Sequence, residues 1–105
     1  MSEGLDRLFA TIASRKDADP AASYTAKLLA AGVEKCAKKF GEEATETVIA
    51  AIQKDKTELA KESADVLYHL AVLWAASGIT PDDVYAVLKS REAMSGLEEK
   101  ASRKG

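Results

Sequence analysis

Apolar residues recur along this chain with helical spacing almost throughout. Leu5, Leu8, Phe9, Ile12 and Ala13 fall at i, i+3, i+4, i+7 and i+8, which predicts a first amphipathic helix. Asp17 to Ala22, with Pro20, reads as a connecting loop. Ser23 then stands where it can cap a short helical segment through Leu28, Leu29 and Ala30 that Gly32 stops. A third helix is predicted from Val33 to Gln53. At about 100° per residue, Val33, Ala37, Phe40, Ala44, Val48 and Ala51 share one side, which the pattern assigns as the core face. Lys39, Glu43, Glu46 and Ala50 form a separate stripe more than a quarter turn away. Gly41 inside this helix costs about 1 kcal/mol relative to alanine, a cost that close approach of backbone or ligand beside Glu42 and Glu43 would justify. Asp55 and Glu58 have capping-box spacing and open a fourth helix, which runs to Ser77 with Gly78 as its left-handed cap. Leu59, Val66, Leu70 and Leu73 make its core stripe, widened by Leu67 and Trp74. A polar stripe of Glu58, Glu62, Asp65 and His69 runs beside it. From Val66 to Ala76 only Tyr68 and His69 are polar, so this half is expected to be buried nearly all round. Thr80-Pro81-Asp82-Asp83 begins a fifth helix, with a threonine cap, proline at the first helical position and an acidic first turn. Val84, Val87 and Leu88 are expected to face inward. The fold class is therefore all-α, a small bundle of four to five helices in one domain over residues 1–95. The last residues, 96–105, are rich in charge and small side chains and are expected to form a flexible tail.

Composition adds a constraint on assembly. The chain has 105 residues and is 47% apolar, yet twenty of them are alanine and only six are aromatic. Alanine lets helices approach closely but buries little area, and a chain this short hides only roughly 60–70% of its unfolded surface. Completion of the core by a second copy, in a symmetric homodimer, is the expectation. The net charge of −2 and the lack of a strongly basic stretch argue against a nucleic-acid partner. No apolar run approaches a membrane span, and the N-terminus has no secretory pattern. Cys36 is the one cysteine, so no internal disulfide can form, and a reducing, cytoplasmic setting fits.

Two acidic words carry the candidate chemistry: Glu42-Glu43-x-x-Glu46 and Glu62-x-x-Asp65, on two consecutive helices. Carboxylates at i, i+3 project the same way from a helix, so two such helices packed antiparallel can close four or five of them around a cation. All-oxygen donors favour Mg²⁺, with Mn²⁺ as a substitute, and phosphate oxygens can complete the coordination. Such a site suits hydrolytic phosphoryl transfer, since the metal neutralises phosphate and lowers the pKa of bound water. The expected ligands are Glu43, Glu46, Glu62 and Asp65. Glu42 is a further ligand, an outer group or the general base. Lys38 and Lys39, one turn earlier, are within reach of phosphate oxygens, the alternative being solvated surface lysines. Each acidic residue taken alone fits a charged, solvent-facing helix. Glu62 and Asp65 change this balance because they border an apolar half-helix where solvation is scarce. A di-iron bundle wants Glu-x-x-His, whereas this chain offers Glu-x-x-Asp. His69 reads as a hydrogen-bond partner or core histidine, and Cys36 as a small packing residue.

These motifs resemble the all-α nucleoside triphosphate pyrophosphohydrolase superfamily, the MazG-like and dimeric dUTPase group, whose hallmark is Glu-Glu-x-x-Glu followed by Glu-x-x-Asp. Within it, Ser23-Tyr24-Thr25-Ala26-Lys27-Leu28-Leu29, Lys38-Lys39-Phe40-Gly41-Glu42-Glu43-Ala44 and Ala64-Asp65-Val66-Leu67-Tyr68-His69-Leu70 resemble the phosphoribosyl-ATP pyrophosphohydrolase family of histidine biosynthesis. The likeness spans about Leu5 to Arg91. It implies hydrolysis of phosphoribosyl-ATP to phosphoribosyl-AMP and pyrophosphate, with Mg²⁺, in a cytoplasmic homodimer, at the second step of the pathway. It implies the metal set Glu43, Glu46, Glu62 and Asp65 with Glu42 beside them as the catalytic group. Ser23, Tyr24, Thr25 and Lys27 are implied to contact substrate or the dimer partner. Some relatives are fused to the cyclohydrolase that acts next, and a free-standing enzyme is expected here. Two other readings stay open on the residues alone: a housekeeping pyrophosphatase for another nucleotide, and a non-catalytic helical adaptor whose acidic stripes keep it soluble.

Overall fold

The computed structural model describes residues 3–92, within which every regular element is an α-helix. In order these are α1 (Glu3–Ser14), α2 (Tyr24–Ala31), α3 (Val33–Ile52), α4 (Lys56–Ser77) and α5 (Pro81–Arg91). The tail expected over residues 96–105 lies outside the described residues. Among the described residues no helix is long and apolar enough to cross a membrane.

Local chemistry sets the boundaries. The Ser23 side chain accepts from the Ala26 N–H at 3.1 Å, Asp55 from the Glu58 N–H at 3.0 Å, and Thr80 and Asp83 cap each other reciprocally. Each cap satisfies a donor that the helix cannot, for about 1 kcal/mol. Gly32, at φ 98°, turns the chain between α2 and α3 through a conformation that side chains disfavour. A short turn with Lys54 in the left-handed region, φ 59°, reverses α3 into α4. The two longest helices thus form an antiparallel hairpin, the principal packing unit of the molecule.

The core is small. Ile12, Leu28, Cys36, Ala71 and Val72 are buried together, flanked by Leu8, Leu29, Tyr68 and Leu73. The Cys36 thiol donates to the Leu28 carbonyl at 3.3 Å, which ties α3 to α2, and burial pushes its pKa up. The Tyr85 hydroxyl donates to Asp6 at 3.0 Å and fastens α5 to α1.

Three expectations about faces need correction. On α3, Cys36 and Ala50 are buried, with Glu43 and Thr47 half-buried between them. The stripe carrying Glu43 and Ala50 therefore faces α4. Of the predicted core face, Phe40 and Ala44 are half-buried, whereas Val33, Ala37, Val48 and Ala51 are exposed. On α4 the deepest residues are His69, Ala71, Val72 and Trp74, while Leu67 is exposed. α4 is packed by α1, α2 and α3 at once, so its buried arc is wider than one stripe and displaced from it. On α5, Pro81 and Tyr85 are buried and Val84 half-buried, but Val87 and Leu88 are exposed, because this helix is held mainly through its contact with α1. The space beside Gly41 is open: no atom of the chain lies within 4 Å of where a Cβ would stand.

Candidate metal and substrate site

Antiparallel pairing of α3 and α4 sets Glu43 opposite Glu62 and Asp65. One oxygen from each lies within 4.8 Å of the other two, and all three side chains are half-buried. The Oε2 atom of Glu43 is shut off from solvent and has no hydrogen-bond partner. A buried carboxylate oxygen without a donor is costly, and Glu62 and Asp65 beside it add negative charge. Glu62 registers the same crowding. Desolvation first, then the charge of Glu46, a hydrogen bond with Asp65 and the charge of Glu43, push its pKa up to about 7. The donor set is all oxygen, which fits a hard divalent cation.

Glu46 does not join the three-oxygen cluster. It is exposed and, with Glu58, Glu62, Ile49, Ala50 and Gln53, lines the adjoining shallow cleft. Glu42 is exposed and pairs with Lys39, Nζ to Oε1 at 3.3 Å. That hydrogen bond raises the Lys39 pKa above its ordinary value. Lys38 is exposed and lines none of the clefts beside the acids. Ser23 spends its oxygen as the cap of α2.

The segment after Ser23 leans over the acid cluster. Thr25 and Tyr68, 43 positions apart in the chain, share a hydrogen bond between their hydroxyls. Tyr24 and Tyr68 both meet His69 edge to face, with ring centroids 6.4 and 5.0 Å away. His69 is 6% exposed and its Nδ1 has no partner. Desolvation lowers its pKa, opposed chiefly by the negative charge of Glu43.

The three segments that carry the resemblance are thus joined in space around one acidic site, and comparison with known sequences agrees. The sequence profile of phosphoribosyl-ATP pyrophosphohydrolase matches residues 5–92. This chain belongs to the phosphoribosyl-ATP pyrophosphohydrolase family. A phosphoribosyl-ATP pyrophosphatase of Parvibaculum lavamentivorans is 63% identical over 99 residues, covering 94% of this chain and 91% of that protein. Similar proteins of the same name from Cereibacter sphaeroides and Paracoccus denitrificans are each 59% identical, over 94% and 96% of this chain and 96% and 94% of theirs.

Within this phosphoribosyl-ATP pyrophosphohydrolase-family fold, sequence reasoning missed one residue beside the site. Lys35 lines a cleft with Tyr24, Lys27 and Lys39. Its one signal was the i, i+4 spacing to Lys39, which places both on one side of α3.

Proposed function

We propose that this protein hydrolyses phosphoribosyl-ATP to phosphoribosyl-AMP and pyrophosphate, the second step of histidine biosynthesis, at the acid cluster between α3 and α4. The observation that carries the metal-dependent reading is the buried, partnerless Oε2 of Glu43 within 4.8 Å of oxygens from Glu62 and Asp65. Those three carboxylates would hold Mg²⁺, or Mn²⁺ in its place, with Glu46 at the edge as a fourth ligand. When bound, the ion supplies charge neutralisation of the phosphates and a water of lowered pKa. Glu62 must release its proton before it can serve as a ligand. Glu42, exposed beside the cluster and paired with Lys39, would take a proton from the attacking water. Lys39 also offers an ammonium to the phosphates. The rings of Tyr68 and His69 wall one side, with Tyr24 at its open edge.

The test is pyrophosphate release from phosphoribosyl-ATP, dUTP and the common nucleoside triphosphates, with Mg²⁺ and with EDTA. Turnover confined to phosphoribosyl-ATP and abolished by EDTA is the expected result. Preference for another nucleotide, or activity indifferent to the chelator, would remove this reading.

The working form is a homodimer in the cytoplasm. Val33, Ala37, Val48, Ala51 and Ile52 leave an exposed apolar face on α3, and Gly41 sits within it beside open space. A second copy packed here would approach closely over Gly41. This accounts for glycine in the middle of a long helix. A reduced thiol at Cys36 suits that compartment.

A further inference from the structure

The cleft between α2 and α3 carries a charge pattern that the metal site uses only at one end, through Lys39. Tyr24, Lys27, Leu28, Ala31, Lys35 and Lys39 line a concavity of about 260 Å³. Its ammonium groups come from two helices: Lys27 from α2, Lys35 and Lys39 from successive turns of α3. Lys39 is paired with Glu42, but among the described residues neither Lys27 nor Lys35 has an acidic partner. Cations gathered around one concave surface repel each other and favour an anion between them. Tyr24, half exposed at 54%, sets an aromatic ring at the same cleft.

We propose that this cleft binds the phosphate of the substrate's phosphoribosyl arm, with Lys27 and Lys35 as its specificity-determining residues; this rests on the reaction assigned above. Position decides which phosphate it takes. Lys35 precedes Glu43 by eight residues, about 12 Å along the helix axis at ~1.5 Å per residue. Helical side chains lean toward the N-terminus, so the Lys35 ammonium is carried further from the acids. The pyrophosphate to be released must sit on the acid cluster, where Lys39 at the near end of the cleft reaches it, and leaves the end lined by Lys27 and Lys35 to another group. The phosphate on the second ribose, which the adenine carries in addition to that of ATP, lies across the base from the triphosphate and can fill that end. Ordinary nucleoside triphosphates lack it, so the cleft gives the enzyme a means to reject them without altering the acid cluster.

Lys35→Ala and Lys27→Ala in the full chain, assayed with phosphoribosyl-ATP at saturating Mg²⁺, test this. Each is expected to raise KM about 10-fold or more, as loss of a charge-assisted hydrogen bond does, with kcat within about 2-fold. Mn²⁺ affinity, measured by electron paramagnetic resonance, is expected to stay unchanged, and Lys35→Arg to restore most of the KM. Ribose 5-phosphate is expected to compete with substrate on the unaltered protein and to lose potency on Lys35→Ala, while inhibition by pyrophosphate is untouched. An unchanged KM in both alanine variants overturns the proposal. So does weakened inhibition by pyrophosphate rather than ribose 5-phosphate, since the cleft would then hold the leaving group. If the unaltered protein fails to turn over phosphoribosyl-ATP, the assigned reaction falls and this proposal with it; turnover with unaltered KM sinks the proposal alone.

Discussion

The two sides of α3 reverse the order expected of a surface helix. Toward α4 it buries a carboxylate oxygen of Glu43 with no donor to meet it. Away from α4 it leaves Val48 56% and Ile52 74% exposed. Folding of the single chain favours the opposite arrangement, because an unpaired buried charge costs several kcal/mol and each buried aliphatic side chain contributes about 1.5–3 kcal/mol. Each side is therefore shaped by something outside the chain. On the function proposed above, that is a cation on one side and a second copy of the chain on the other. The comparison separates function from stability within one helix, and each side can be attacked without touching the other.

The largest effect is expected on the polar side. Glu43→Gln and Asp65→Asn should each lower kcat/KM for phosphoribosyl-ATP by more than ~10²-fold, since even outer partners of metal ligands are worth 10–100-fold. Both variants should stay folded by circular dichroism, because each removes a charge from a mutually repelling cluster. Retained hydrolysis in either variant would mean that the buried oxygens serve packing alone.

The apolar side is probed by Val48→Asp. A charge placed on this face should shift the protein from dimer to monomer in light scattering after size-exclusion chromatography, weakening self-association at least ~10-fold. Mn²⁺ binding at the acid cluster should survive. A dimer that ignores the substitution would move the interface elsewhere, with the exposed Val87 and Leu88 of α5 next to be tested.

Acidity sharpens the comparison through Glu62. Its ordinary pKa of 4.5 is raised to about 7 in the fold, by desolvation foremost. Between those values the folded chain holds a proton that the unfolded chain has released. Metal-free stability should therefore fall as pH rises from 4.5 to about 7. A divalent ion competes with that proton, so the gain in Tm on adding Mg²⁺ should grow over the same interval and level off above it. Thermal scans in EDTA and in Mg²⁺ at several pH values check this, and Glu62→Gln should flatten both trends.

These two sides were not equally legible in the sequence. Helix starts at Ser23, Asp55 and Thr80 could be read off because capping is chemistry between residues three apart. Glu43, Glu62 and Asp65 could be paired because i, i+3 spacing and a short hairpin turn leave few ways to arrange them. The core face of α3 was misassigned for a physical reason. Val33, Ala37, Val48 and Ala51 are apolar whichever surface covers them, and a periodic pattern cannot tell an intrachain neighbour from a second copy. The same ambiguity misplaced Val87 and Leu88. Beyond its i, i+4 spacing to Lys39, Lys35 gave no sign, because Lys27 lies across the turn at Gly32 and the chain must reverse there before the two line one cleft.

The smallest effect concerns the clasp that fixes α2 over the acid cluster. Thr25 and Tyr68 bond hydroxyl to hydroxyl in a partly buried setting. Thr25→Val keeps the shape and removes the oxygen, leaving the Tyr68 hydroxyl to find another partner, and Tyr68→Phe does the reverse. Each should cost about 1 kcal/mol, a fall in Tm of roughly 4–8 °C for a domain of this size. The double variant should lose less than the sum, because the second substitution removes a group that the first has already stranded. If the clasp also positions Tyr24, KM should rise modestly in both single variants while kcat holds. Full additivity in Tm would show instead that the two hydroxyls act independently and that α2 is held by the burial of Ala26 and Leu28 and by the Cys36 hydrogen bond.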